Sequence, residues 1–208
     1  MTGAARFFGA AVFGAAMAAV AFLGVLSLSD LRITDDEPGA APRTTLVAPN
    51  NLIRNASAEF TTGAWGKSRT ATLATVESDR LGVDGSHVFR LRRKTAGTST
   101  VSAYAPAIKV DAGESINATA SLVSIAAGRS AVVGIQWKAG DAGDGAYLGA
   151  APNSKSANRS GSLVSTTATA PAEANSAIVV VSLIEAKQGD VLDFDAVVGQ
   201  QAASPALQ

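Results

Sequence analysis

The chain has 208 residues, 17 Lys plus Arg against 17 Asp plus Glu, one His and no Cys. That length suits one ordinary domain with an appendage, and the charge balance gives no general attraction to nucleic acid or an anionic surface. Disulfide frameworks, thiolate metal sites and cysteine nucleophiles are excluded, and His87 alone cannot supply a two- or three-histidine metal site. Ala, Gly, Ser and Thr are abundant and aromatics make up 5%. Such a composition suits a thin sandwich with tight turns better than a deep aromatic pocket.

Phe7 to Ser29 is uncharged, between Arg6 and the flank Asp30, Arg32, Asp35, Asp36 and Glu37. A helix of about 20 apolar residues spans a bilayer, and these flanks would leave the N-terminus in the cytoplasm. The Ala and Gly content weakens membrane partition. Ala10, Gly14 and Ala18, with Ala11, Ala15 and Ala19, instead form small-residue stripes that allow close helix contact. Three readings stay open for residues 1–34: a cleaved signal, for which Ser27-Leu28-Ser29-Asp30-Leu31 is a poor cleavage site; an uncleaved membrane anchor through residues 7–29; or a helix buried in an oligomer or partner. Residues 35–49 read as a linker extended by Pro38, Pro42 and Pro49.

From residue 50 to 199 the expected fold is all-β. Asn50 to Trp65 reads as a first strand, with Leu52 and Ile53 as anchors, Asn55 and Ser57 turning the backbone, Gly63 bending it and Trp65 buried. Ser115 to Val123 alternates Ile116, Ala118, Ala120 and Leu122 against Ser115, Asn117, Thr119 and Ser121, the mark of a half-buried antiparallel strand. Ala131 to Lys138 turns Val133, Ile135 and Trp137 inward, while Ala177 to Ile184 is apolar on both faces and should be central. Further strands are expected near Ala71–Glu77, Val88–Arg92, Thr98–Tyr104, Leu163–Thr169 and Val191–Val198. Turn residues separate them at Asp84-Gly85, Asp111-Ala112-Gly113, Asp141 to Gly145, Pro171-Ala172-Glu173 and Gln188-Gly189-Asp190. Residues 200–208 read as a loose tail.

Asn51-Leu52, Asn55, Ser57 and Glu59, followed by Gly63 and Trp65, resemble the opening of jelly-roll carbohydrate-binding modules, the galactose-binding-like domains also found on bacteriophage tail and head appendages. Three later stretches are similar to that family in order and spacing: Asp84 to Leu91, Ile108 to Gly113, and Pro171 to Val180 with Gly189 to Val197. The resemblance implies an antiparallel jelly-roll β-sandwich that binds sugar without catalysis. It also implies a structural calcium tying the first strand to the last, with Glu59 and Asp193 or Asp195 as carboxylate ligands.

A sugar site needs an exposed aromatic platform flanked by polar groups. Trp65, Tyr104, Trp137 and Tyr147 are the Trp and Tyr residues of the chain. Trp137 alternates with core residues and Trp65 sits in the family's structural motif, which leaves Tyr147 as the preferred platform, with Asp141 and Asp144 beside it in the Gly140 to Gly149 loop. An ordinary exposed turn explains the same residues. Arg90 and Arg92 share a strand face and would meet an anionic glycan or acidic partner, or form plain cross-strand ion pairs. His87, next to a turn, is a ligand or a hydrogen-bonded surface side chain. No nucleophile elbow, phosphate loop or paired-carboxylate motif stands out. The function expected is that of a non-enzymatic virion appendage or decoration protein, assembled with its own copies and other virion proteins, and facing a host-surface glycan. The alternative is a membrane-anchored glycan-binding module on a bacterial surface.

Overall fold

The computed structural model describes residues 50–202 except 55, 60, 79–84 and 152–153. The expected apolar helix, the linker and residues 203–208 lie outside the described residues. Within them every regular element is a strand: β1 (Gly66–Lys67), β2 (Ala71–Glu77), β3 (His87–Arg93), β4 (Thr98–Tyr104), β5 (Ile108–Lys109), β6 (Ser115–Ile125), β7 (Ser130–Lys138), β8 (Tyr147–Ala150), β9 (Lys155–Ala157), β10 (Ser162–Thr169), β11 (Ser176–Lys187) and β12 (Val191–Gln201).

Two antiparallel sheets result. One has seven strands in the order β1-β4-β11-β7-β8, with β5 pairing β11 and β9 pairing β7; the other has five, β10-β6-β12-β3-β2. The pairs β3 with β12, β4 with β11, β6 with β10 and β7 with β8 nest inside one another, as in a jelly roll, where a long antiparallel ribbon is wound into a sandwich. Ala177 to Ile184 is central as its two apolar faces require, lying between β4 and β7.

Alternation decides which side chains meet between the sheets. Val101 and Ala103, Val133 and Ile135, and Val179, Val181 and Leu183 are essentially inaccessible on one side, facing Phe89, Leu91, Ile116, Leu122 and Phe194 from the other. Trp65, Phe89 and Phe194 form an aromatic cluster with centroids 4.8, 5.4 and 5.8 Å apart, a spacing at which tilted rings attract. Trp65 and Trp137 are both buried, as expected of structural residues.

The described part of Asn50 to Trp65 is not a strand, contrary to expectation. It runs beside β12 with isolated bonds: Leu52 N donates to Gly199 O at 2.7 Å and Val197 N to Ala56 O at 3.2 Å. The reason lies in β12, which bulges between Asp195 and Val198 with Ala196 at φ 47°, so no continuous ladder edge is offered. The Asn51 carboxamide closes the gap, donating to Val197 O at 3.0 Å and accepting Gly199 N at 3.0 Å and Ile53 N at 3.1 Å. A Cβ on Gly199 would come within 2.5 Å of Ile108 Cδ1 and 3.1 Å of Ile53 Cδ1, so these side chains would have to shift to admit one. The last strand reaches Gln201, past the expected Val198.

Candidate functional site

The seven-stranded sheet has an outward face set by the same alternation that builds the core. With Val179, Val181, Val133 and Ile135 inward, Tyr104, Val180 and Gly134 are cross-strand neighbours pointing outward, with Gly66 beyond Tyr104 in the same row. A second row runs Ser102, Ser182, Val132 and Ser156, and a third Ile178, Gln136 and Ala150. Residues facing solvent from an outer layer are normally well exposed. Here Val180 is 6% and Ser102 and Ser182 are each 8% exposed, so they lie under neighbouring groups as the floor of this face.

Its walls come from the connections. Ser154, in the link after β8, sits over Gly134, where a Cβ would meet its Oγ at 2.6 Å. Gly143, from the loop between β7 and β8, packs against Ala107 and Ile178 at the opposite end. That loop is tied down by Asn175 Nδ2 and Ser176 Oγ, each donating at 2.5 Å, to Ala139 O and Gly140 O respectively. The half-buried Tyr104 side chain lies beside Gly66, within van der Waals reach of where a Cβ would stand. The floor is thus apolar at Val180 and Ile178, with a paired hydroxyl at Ser102 and Ser182, Oγ to Oγ 2.8 Å, and an amide at Gln136. This mixture of flat apolar surface and hydroxyl or amide groups matches the two faces of a sugar ring.

Tyr147 is 56% exposed and flanks this face at its edge, with Lys138 Nζ 5.9 Å from its ring centroid. Asp141 and Asp144 are also exposed, but Asp144 folds back over Gly140 within its own loop. Tyr104 was the aromatic that sequence reasoning passed over. Its signal was present: Val101 and Ala103 mark the inward face of β4, which puts Tyr104 on the other.

Arg90 is taken up. Its Nε and Nη2 donate to the two carboxylate oxygens of Asp193 at 2.8 Å each, a fork that raises the Arg90 pKa chiefly through that hydrogen bond. Arg92, two residues on, remains exposed.

The three carboxylates expected to hold calcium are held by three different sets of N–H donors. Glu59 Oε1 accepts Ser86 N at 2.7 Å and His87 N at 2.6 Å; Asp193 accepts Arg90; buried Asp195 accepts Ala58 N at 3.3 Å. Among the described residues no three His, Asp or Glu side chains form a metal-holding group. Calcium demands six or more oxygens, and the described donors divide these carboxylates among three separate sets. The first segment is tied to the last strand both by Asn51 and by the bond from Ala58 N to Asp195.

His87 Nδ1 lies 3.1 Å from Ser86 Oγ and 3.4 Å from Glu59 Oε2. A catalytic relay needs serine and carboxylate on opposite ring nitrogens, and here one nitrogen meets both. The cluster is a clasp holding Glu59 to the start of β3.

No family model and no curated protein sequence matches the chain. Solved structures do. The described fold is similar to part of an arabinose-bound α-L-arabinofuranosidase, MgGH51, with TM-score 0.56, 16% identity and coverage of 74% of this chain and 27% of that one. It is similar to the enzymatically active domain of bacteriophage CBA120 tailspike protein 4, with TM-score 0.53, 15% identity and coverage of 73% and 21%. It is also similar to the Clostridium thermocellum xylanase 10B fragment carrying CBM22-1 and GH10 modules with xylohexaose, with TM-score 0.51, 14% identity and coverage of 76% and 30%. The chain spans under a third of the length of each, and at these identities the likeness is one of fold.

Proposed function

We propose that the sandwich is a non-catalytic glycan-binding module that takes a sugar chain across the outward face of its seven-stranded sheet. The observation that carries this reading is the row of half-buried Tyr104 with buried Val180 and Gly134, and the Ser102–Ser182 pair beside it, on an outer face flanked by its own loops. Tyr104 supplies the ring for stacking, the serine pair and Gln136 supply the hydroxyl contacts, and Tyr147 extends the surface toward the sheet edge. The fold likeness to a fragment holding a carbohydrate-binding module supports the same reading.

On this reading the chain is a structural component of a virion appendage, assembled from its own copies and turned toward host-surface glycan. Support comes from the fold likeness to a phage tailspike and from the small-residue stripes of residues 10–19. The uncharged run Phe7 to Ser29 favours a second placement of the same module, on a bacterial surface through a membrane anchor. Light scattering of the full chain separates the two: a discrete oligomer without detergent supports the appendage, and solubility only in detergent supports the anchor.

Titration of the full chain against a panel of neutral oligosaccharides tests the binding function. Saturable binding that Tyr104→Ala abolishes is the expected result. Binding by no member of the panel, or binding indifferent to Tyr104→Ala, contradicts it.

A further inference from the structure

The two ends of the sandwich differ in charge. The chain enters the described domain at Asn50 to Leu52, beside Gly199, and reaches Ala202 beside Ser115, so entry and exit share one pole. The other pole is formed by the start of β2, the end of β3 and the turn between β11 and β12, about 33 Å away along the 11 residues of β6. Arg69, Arg92, Lys94 and Lys187 are all exposed there.

Backbone bonds join the segments that carry these four cations at this end of the sandwich, Arg92 standing on the outer face of the five-stranded sheet and Lys187 on that of the seven-stranded sheet. Lys94 N donates to Thr70 O at 2.9 Å, Gly189 N to Arg93 O at 3.0 Å, and Gln188 Nε2 to Lys94 O at 3.3 Å, binding the three segments together. The acids nearby do little to offset them. Asp190 accepts Arg129 Nε at 2.6 Å and Lys187 N at 2.9 Å, so its charge is already matched, which leaves exposed Glu185 against four cations. Buried Arg93 turns its guanidinium to Ala96 O, Gly97 O and Ser99 and contributes positive potential from beneath. The entry pole, in contrast, presents Asp111, Asp141, Asp144 and Glu173 as exposed acids, with Lys109 exposed among them.

The neighbours of the cations are hydrogen-bonding side chains. Arg92 stands opposite Thr72, Lys187 opposite Thr98, and Gln188 lies against Lys94, and Thr72, Thr98 and Gln188 are exposed. The exposed large apolar side chains among the described residues are Leu52, Tyr147 and Leu163; the first two belong to the entry half, and Leu163 lies on β10, at the sheet edge opposite β2. Among the described residues, those beside the four cations include no ring on which a base would stack and no large exposed apolar side chain, Leu163 standing three strands away from Arg92.

We propose that this pole, remote from the chain's entry and exit, is a docking surface for an acidic polysaccharide, whose carboxylate or sulfate groups pair with Arg69, Arg92, Lys94 and Lys187 while its hydroxyls meet Thr72, Thr98 and Gln188. The surface is separate from the Tyr104 floor and does not depend on it.

The test is fluorescence-anisotropy titration of the full chain with labelled polygalacturonate, against neutral dextran, duplex DNA and phosphatidylglycerol vesicles, at 50 and 500 mM NaCl. Polygalacturonate is expected to bind at low salt and to weaken about tenfold or more at high salt, with any dextran binding unchanged by salt. R92E/K94E is expected to lose at least about tenfold at low salt, whereas the acidic-pole variant D111K/E173K keeps wild-type affinity or better. The milder R92Q/K94Q variant, matched to wild type in thermal melting, is expected to weaken binding by about threefold or more and covers the case in which charge reversal impairs folding. Wild-type affinity in R92Q/K94Q, or tighter binding to DNA or vesicles than to polygalacturonate, overturns the proposal.

Discussion

Asn51→Ala removes one side chain that joins the start of the domain to its last strand. Three hydrogen bonds disappear: the donation to Val197 O and the acceptances from Gly199 N and Ile53 N, at 3.0, 3.0 and 3.1 Å. Each is part-buried, and a typical net value of about 0.5–1.5 kcal/mol per bond puts the loss at about 2–3 kcal/mol once water reaches the freed groups. For a domain of this size that lowers Tm by about 5–10 °C. Asn51→Asp keeps both acceptances but sets a carboxylate against the Val197 carbonyl, so its loss should fall between wild type and Ala. Urea unfolding measures the two differences. Hydrogen exchange at Leu52 and Gly199 should quicken more than at Val179 and Val181 in the core, because the segment peels from β12 before the sandwich opens. A loss within about 0.5 kcal/mol for Asn51→Ala would refute the claim that this carboxamide holds the segment.

The Arg129 bond and the Lys187 amide hold the Asp190 carboxyl below its ordinary value. A carboxylate with a depressed folded pKa contributes stability above its unfolded pKa and loses it as pH falls through the folded value. Asp190→Asn should therefore lower stability at pH 7 and flatten the acid side of a melting-temperature profile below about pH 4. At the Arg90–Asp193 fork, Asp193→Ala strands a half-exposed guanidinium and should cost about 1–2 kcal/mol, and a double-mutant cycle with Arg90→Ala should return a coupling of about 1 kcal/mol.

Strands of seven or more residues were legible because alternation over that length leaves little choice of face: Ala71–Glu77 and Thr98–Tyr104 fall where the pattern puts them. The strands β1, β5, β8 and β9 run two to four residues, too short for a period to show. Asn50 to Trp65 carried strand-like anchors, but its conformation is decided by the bulge at Ala196, about 140 residues away in sequence and invisible locally. Distance in sequence also hid the fate of Arg90, whose partner lies 103 residues on. The apolar second face of Ala177 to Ile184 suits its central place between β4 and β7, and the same Ile178 and Val180 also floor the candidate site, a use that only the covering loops reveal. Tyr147 drew notice because a glycine-rich loop advertises exposure, whereas Tyr104 belongs to a strand whose outward face becomes a site only when β11 and β7 are laid beside it.

The sheet-face reading is tested most directly by recording amide chemical shifts of the isotopically labelled chain while titrating an oligosaccharide that binds. The account predicts that the perturbed amides cluster at Ser102, Tyr104, Gly134, Gln136, Val180 and Ser182. Perturbation confined to the outer face of the five-stranded sheet, along Ser115, Asn117 and Thr119 with Ser165, Thr167 and Thr169, would contradict it.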